Sequence, residues 1–317
     1  MRVSCLLAGP CPRGHPPKPV FREGHTSMQG TVDGFGYGFV TPVVAFLMAC
    51  LGAALGLRCT TRFLRTHRSI RPGWLALGAT SIGSGIWTMH FVAMTGFRVH
   101  EVPVGYDRPI TFASLAVAVV MTGIGIFIVG YRGAASMALV TGGTITGLGV
   151  ASMHYLGMAG MRLHGTLEYD TVTVALSVVI AVVAATAALW AAVSVRGFLP
   201  SLGASVVMGV AVSGMHYTGM AALQVRLHPA AVTGVPAGDG PAALIVPMLI
   251  GPACFLLLAG AVVMFDPEVV TGTPYRRDGG RRAGRYGAGQ VYAIPAQRRR
   301  TGYETPARRE IRPPRRR

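Results

Sequence analysis

Apolar residues in this chain do not alternate with polar ones. They gather into seven long runs, near residues 39–57, 74–97, 110–130, 135–158, 171–195, 199–223 and 242–265. Several windows of about 20 residues carry no charge, which is the length a helix needs to cross a hydrocarbon layer about 30 Å thick. The fold class expected is an all-α membrane protein with seven transmembrane helices. Small residues recur inside the runs at Gly78, Gly83, Gly142, Gly147, Gly203 and Gly209, where they would let helices approach closely.

A second pattern lies on the first. Met89-His90, Met153-His154 and Met215-His216 each stand near the end of a run, and each histidine is followed four residues later by a methionine, Met94, Met158 or Met220. The histidines are 64 and 62 residues apart, long enough for two membrane helices per repeat. The layout is therefore three two-helix repeats plus one extra helix. Because each repeat is two helices long, the copies keep one orientation and can surround an axis along the membrane normal. The three histidine-bearing helix ends can then converge.

Charge gives the orientation. Arg58, Arg62, Arg65, Arg68 and Arg71 follow the first run with no acid among them, and Arg132 and Arg196 lie in loops on the same side. The positive-inside rule makes that side cytoplasmic. The opposite loops mix Glu101, Asp107, Glu168, Asp170 and Asp239 with Arg98, Arg108, Arg162 and Arg226. The N-terminus is thus expected outside and the C-terminus in the cytoplasm. At about 1.5 Å per residue His90 would sit roughly 10 Å inside a boundary near Phe97, so the histidine site would be shallow and outward-facing.

The ends read differently. Residues 1–38 hold Pro10, Pro12, Pro16, Pro17 and Pro19 and no signal-peptide core; they are expected to be disordered, with Met28 the expected natural start. Residues 266–317 carry fourteen arginines against five acids and are expected to form a disordered cytoplasmic tail. That tail reads as a topology determinant lying near an anionic leaflet. Nucleic-acid binding would need stacking platforms, for which only Tyr275, Tyr286, Tyr292 and Tyr303 are at hand.

Much chemistry is excluded. No acid occurs between Asp33 and Glu101, Asp107 and Glu168, or Asp170 and Asp239, so a carboxylate proton relay has no carrier. Paired catalytic carboxylates, a nucleophile elbow and a phosphate-cradling loop are missing too, and the chain is read as no enzyme. Cys5, Cys11, Cys50, Cys59 and Cys254 form no metal-ligand spacing, and Cys50 and Cys254 read as small hydrophobes.

The histidines remain. His90 and Met94, His154 and Met158, and His216 and Met220 each share one helix face, whereas Met89, Met153 and Met215 are rotated about 100° away and would serve only at a border with a neighbouring helix. Imidazole with thioether is a soft ligand set that suits copper, especially Cu(I). The competing reading makes the histidines hydrogen-bonding struts and the methionines core filler. His100, His164 and His228, with the recurring pairs Tyr106-Asp107 and Tyr169-Asp170, read as an outer metal-capture ring or, more simply, as helix caps and turns.

The third copy spells Met215-His216-Tyr217-Thr218, and the chain resembles the MHYT domain of bacterial integral-membrane signalling proteins over about residues 39–265. The first copy departs with Phe91, Val92 and Ala93 in place of tyrosine, threonine and glycine, and the second with Leu156 for threonine. The resemblance implies a bacterial inner-membrane sensor of a diatomic gas such as oxygen, CO or NO, or of redox state, acting through bound copper. Relatives often carry GGDEF and EAL cyclic-di-GMP domains, and the chain here reads as a stand-alone form. His90, His154 and His216, with Met94, Met158 and Met220, are then the candidate ligands. The partners implied are the lipid bilayer, the gas and a cytoplasmic signalling protein. A copper transporter or copper-handling protein is the alternative, and a copper oxidase-like enzyme comes third.

Overall fold

A computed structural model of the chain describes residues 28–34, 38–65, 71–99, 102, 104–195, 197–227 and 241–264. Among these residues there are seven helices: α1 (Val40–Arg65), α2 (Arg71–Thr95), α3 (Arg108–Arg132), α4 (Ser136–Ala159), α5 (Thr171–Ser194), α6 (Phe198–Ala221) and α7 (Pro241–Met264). The protein is a helical, multi-pass membrane protein. α1, α3, α4, α5 and α6 are long and apolar enough to cross a membrane.

Of the remaining two, α2 falls short for a visible reason. α2 is as long, but Thr80, Ser81, Ser84, Thr88 and His90 interrupt its apolar residues. It is also the most enclosed helix, packing on α1, α3, α4, α6 and α7. α7 carries no charged residue and holds Pro247 and Pro252 within it. Sequence neighbours pack pairwise from α1–α2 through α5–α6, and α6 closes the ring on α1.

Close approach depends on glycine at a few places. A Cβ on Gly52 would lie 2.8 Å from Gly85 Cα, and one on Gly85 would lie 2.7 Å from Gly52 Cα, so α1 and α2 touch backbone to backbone. Gly83 meets the Val119 backbone in the same way. Gly203, expected to be another such contact, faces open space, because it lies on the exposed side of α6.

The described residues also include seven short strands: β1 (Met28–Gln29), β2 (Val32–Asp33), β3 (Arg98–Val99), β4 (Gly105–Tyr106), β5 (Met161–Arg162), β6 (Gly165–Tyr169) and β7 (Leu223–Leu227). They form one antiparallel sheet in the order β1-β7-β6 and two strand pairs, β2-β3 and β4-β5. All stand before α1 or after α2, α4 or α6, so every strand caps the same end of the bundle. Here the expectation of a disordered segment over 1–38 is corrected for its described part. Met28 pairs with Leu227, and Val32 with Val99, because the adjoining loops offer free strand edges. The rest of that segment and the tail 266–317 lie outside the described residues.

The recurring Tyr-Asp pairs are helix caps. Asp107 accepts from Ile110 N–H at 3.1 Å and starts α3, and Asp170 accepts from Thr173 N–H at 2.8 Å and starts α5. Each satisfies an N–H the helix itself leaves unpaired. Arg162 pairs with Asp107, and Arg226 with Glu168, both at 2.7 Å. The guanidinium of Arg162, with the Ile110 N–H, holds the Asp107 carboxyl below its ordinary range. His164 is exposed beside these loops, and His100 and His228 lie outside the described residues.

Candidate metal centre

His90, His154 and His216 each stand five residues before the last residue of α2, α4 and α6, at the strand-capped end. Equal placement on three helices that surround one axis brings the rings together. Nδ1 of His90 lies 3.1 Å from Nδ1 of His216 and 3.2 Å from Nδ1 of His154, and the third side is 3.3 Å. Each side chain is 1% exposed. The rings meet edge to face, with interplanar angles of 79°, 78° and 90°.

Hydrogen bonding alone does not satisfy this triangle. In a neutral imidazole each nitrogen either donates or accepts. Among three nitrogens in mutual contact at least two then have the same role, which sets two lone pairs or two N–H groups against each other. A cation at the centre removes the conflict, because all three lone pairs can face it. A point equidistant from corners 3.1–3.3 Å apart lies about 1.85 Å from each, near the ~2.0 Å of a metal–imidazole bond. The three histidines are the one such cluster of His, Cys, Asp or Glu among the described residues. They fit a metal, and a soft or borderline one best.

The rings are walled in. Phe91, Tyr155 and Tyr217, each the next residue in its motif, lie edge-on to the preceding histidine at centroid distances of 4.6, 4.9 and 5.0 Å. Tyr155 is fixed by a 2.6 Å hydrogen bond with Ser177 Oγ. Trp87 backs Phe91 at 4.7 Å and is itself held by its N–H to Ser114 Oγ, 3.0 Å.

Glycine supplies the last constraint. A Cβ on Gly157 would lie 2.5 Å from His90 Nε2, and one on Gly219 would collide with His154 Nε2. Each of these imidazoles thus rests in a notch of the next motif, three residues past that motif's own histidine. Both Nε2 atoms are buried without a hydrogen-bond partner, whereas ligating histidines usually donate their second N–H to an acceptor. These two glycines were not among the expected site residues. The signal was present as a glycine three residues after the histidine in two of the three copies.

The methionines form the surrounding core. Met94, Met153, Met158 and Met215 are buried in the main apolar cluster, and Met220 is half-buried against it. Met89 is buried with Ala45, Ala49 and Ala93, on the α1 side. The structure brings the three histidine nitrogens to one point and buries five of the six methionines, with Met220 half-buried.

A helical membrane bundle with a buried three-histidine centre is the class these observations define. Residues 83–142 and 147–205 match the MHYT family model, described as a bacterial signalling protein N-terminal repeat, so the chain carries two MHYT repeats. It is 37% identical over 196 residues to the bifunctional diguanylate cyclase/cyclic di-GMP phosphodiesterase MucR of Pseudomonas aeruginosa, covering 60% of this chain and 28% of that protein. With the cyclic di-GMP phosphodiesterase NbdA of the same organism it shares 36% identity over 249 residues, 72% of this chain and 30% of the relative. The signaling protein YkoW of Bacillus subtilis is 29% identical over 186 residues, 56% of this chain and 23% of its own length. The chain spans less than a third of each of these relatives. No solved structure matches it.

Proposed function

We propose that the chain is a sensor of the bacterial inner membrane that binds copper at His90, His154 and His216 and responds there to a diatomic gas or to redox state. The observation that carries this reading is the triangle of buried Nδ1 atoms, 3.1–3.3 Å on a side. Copper held there would supply a soft-metal coordination site for a diatomic molecule and a one-electron couple. The chain's own part is to aim three imidazoles, shield them with Phe91, Tyr155 and Tyr217, and keep water out. Each ligand comes from a different helix, so a change in their distances moves α2, α4 and α6 against one another. That is the two-state element a sensor needs. The reading has the centre on the outer side and the C-terminus in the cytoplasm, where a signalling partner or the arginine-rich segment 266–317 would receive the signal. The activities in the relatives' names stay with those proteins, and the role given to this chain is sensing without catalysis.

Transport is the weaker alternative. A metal pathway needs ligands in successive layers, yet one turn below the histidines the same helix faces present Ile86, Val150 and Val212.

Protein purified in detergent without chelator should hold about one copper per chain, and replacement of all three histidines by alanine should remove it. Reductant followed by NO or CO should change the absorption of the copper-loaded protein, and His216→Ala should lose that change. Full copper content in the triple variant overturns the ligand assignment, and histidine-dependent copper uptake into vesicles overturns sensing in favour of transport.

A further inference from the structure

The ligands of the triangle carry no charge, and no acid on any helix supplies one. Imidazole binds a metal as a neutral ligand, so an ion held by His90, His154 and His216 keeps its whole charge. None of α1 to α7 contains an aspartate or glutamate. In the loops at the strand-capped end Asp107 is taken up by Arg162 and Glu168 by Arg226, both at 2.7 Å, and Asp170 by the N–H and hydroxyl of Thr173. One turn inward from the rings, the same helix faces present Ile86, Val150 and Val212 to an apolar cavity.

The outer nitrogens of the rings give no relief. A metal-bound histidine normally passes part of the ion's charge outward, by donating its second N–H to a carboxylate, a carbonyl or water. Nε2 of His90 and of His154 instead lie where a side chain on Gly157 or Gly219 would stand, buried and without an acceptor. Three-histidine sites for zinc keep a fourth position for water, whose deprotonation lowers the net charge. A hydroxide needs hydrogen-bonding company, which the side chains of Ile86, Val150 and Val212 do not offer.

The cost of burying an ion in a medium of low dielectric rises with the square of its charge, so a dication is about four times as expensive here as a monocation. We propose that the triangle is a charge filter: it holds a monovalent ion, Cu(I) or its analogue Ag(I), far more tightly than Cu(II) or Zn(II). The selectivity comes from the missing counter-charge around the rings rather than from soft ligands, since imidazole by itself suits zinc as well as copper. The inference rests on the histidines being a metal site, as proposed above, and adds which charge state that site accepts.

The test uses the full chain in detergent, stripped of metal and kept anaerobic, titrated with Cu(I), Ag(I), Cu(II) and Zn(II) against chelators of known affinity. One Cu(I) or Ag(I) per chain is expected, with Cu(II) and Zn(II) weaker by at least about 1,000-fold. Val150→Asp puts a carboxylate on α4 one turn from His154 and should raise Zn(II) affinity at least about tenfold, whereas Val150→Asn, of the same shape without the charge, should not. The same two changes at Val212 repeat the comparison on α6. Cu(II) or Zn(II) held as tightly as Cu(I) overturns the filter and leaves the metal site standing. An equal gain in Zn(II) affinity in the asparagine variants overturns charge as its cause. Binding of no ion at all overturns the metal reading on which the filter rests.

Discussion

The histidine layer and the layers beneath it are built on the same faces of the same three helices, yet they differ in kind. At the strand-capped end, rings and glycines leave so little room that a single Cβ at Gly157 would meet His90 Nε2 at 2.5 Å. One to two turns inward, branched aliphatic residues and alanines leave a cavity of about 50 Å³. Close packing fixes three nitrogens where a metal can be held, and loose packing leaves somewhere for the helices to move. A sensor needs both within reach of each other.

The comparison breaks most sharply at the histidines. The alanine triple variant should keep its helical content by circular dichroism while copper falls to background. Gly157→Ala and Gly219→Ala should come next, because each pushes an imidazole out of its notch. A fall in copper affinity of about 10- to 100-fold is expected, with a loss of about 1–3 kcal/mol in stability from overpacking. Ala93→Gly, which places glycine at the equivalent position of the first motif, should leave copper affinity within about threefold, far less than either glycine-to-alanine change.

The inward layers should respond in the opposite way. Ile86→Ala enlarges an existing cavity and should cost about 2–5 kcal/mol in denaturation, with copper content unchanged. Loss of copper in that variant would show that the two layers are not separable. The smallest effect belongs to the loops. Asp107 is held below its ordinary carboxyl range by Arg162 and the Ile110 N–H, so its contribution is present above the range of a free carboxyl and fades as acid protonates it. Asp107→Asn should therefore lower the melting temperature slightly at neutral pH and by less in acid. An equal drop at both pH values would count against the ion pair.

The helices and the histidine triangle were legible in the sequence because both depend on spacing. Apolar runs of membrane length and a motif recurring at 64 and 62 residues specify which helix ends must meet. The strands were not legible. β2 through β5 are only two residues long, too short for alternation to register, and partners such as Met28 and Leu227 are set by which loops share an end of the bundle. The individual glycine contacts were equally hidden, since Gly203 and Gly209 differ only in what the fold sets opposite them, open space in one case and Cys50 and Phe46 in the other.

The ring of helices also imposes an order in time. His90 and His154 are made long before His216, and α1 finds its partner α6 only after more than two thirds of the chain has been synthesised. Until then neither the third corner of the triangle nor the β1–β7 pairing exists. A chain interrupted before α6 therefore has two imidazoles and no closed centre. On the proposed reading, capture of the metal would then certify that all three repeats have been inserted and joined.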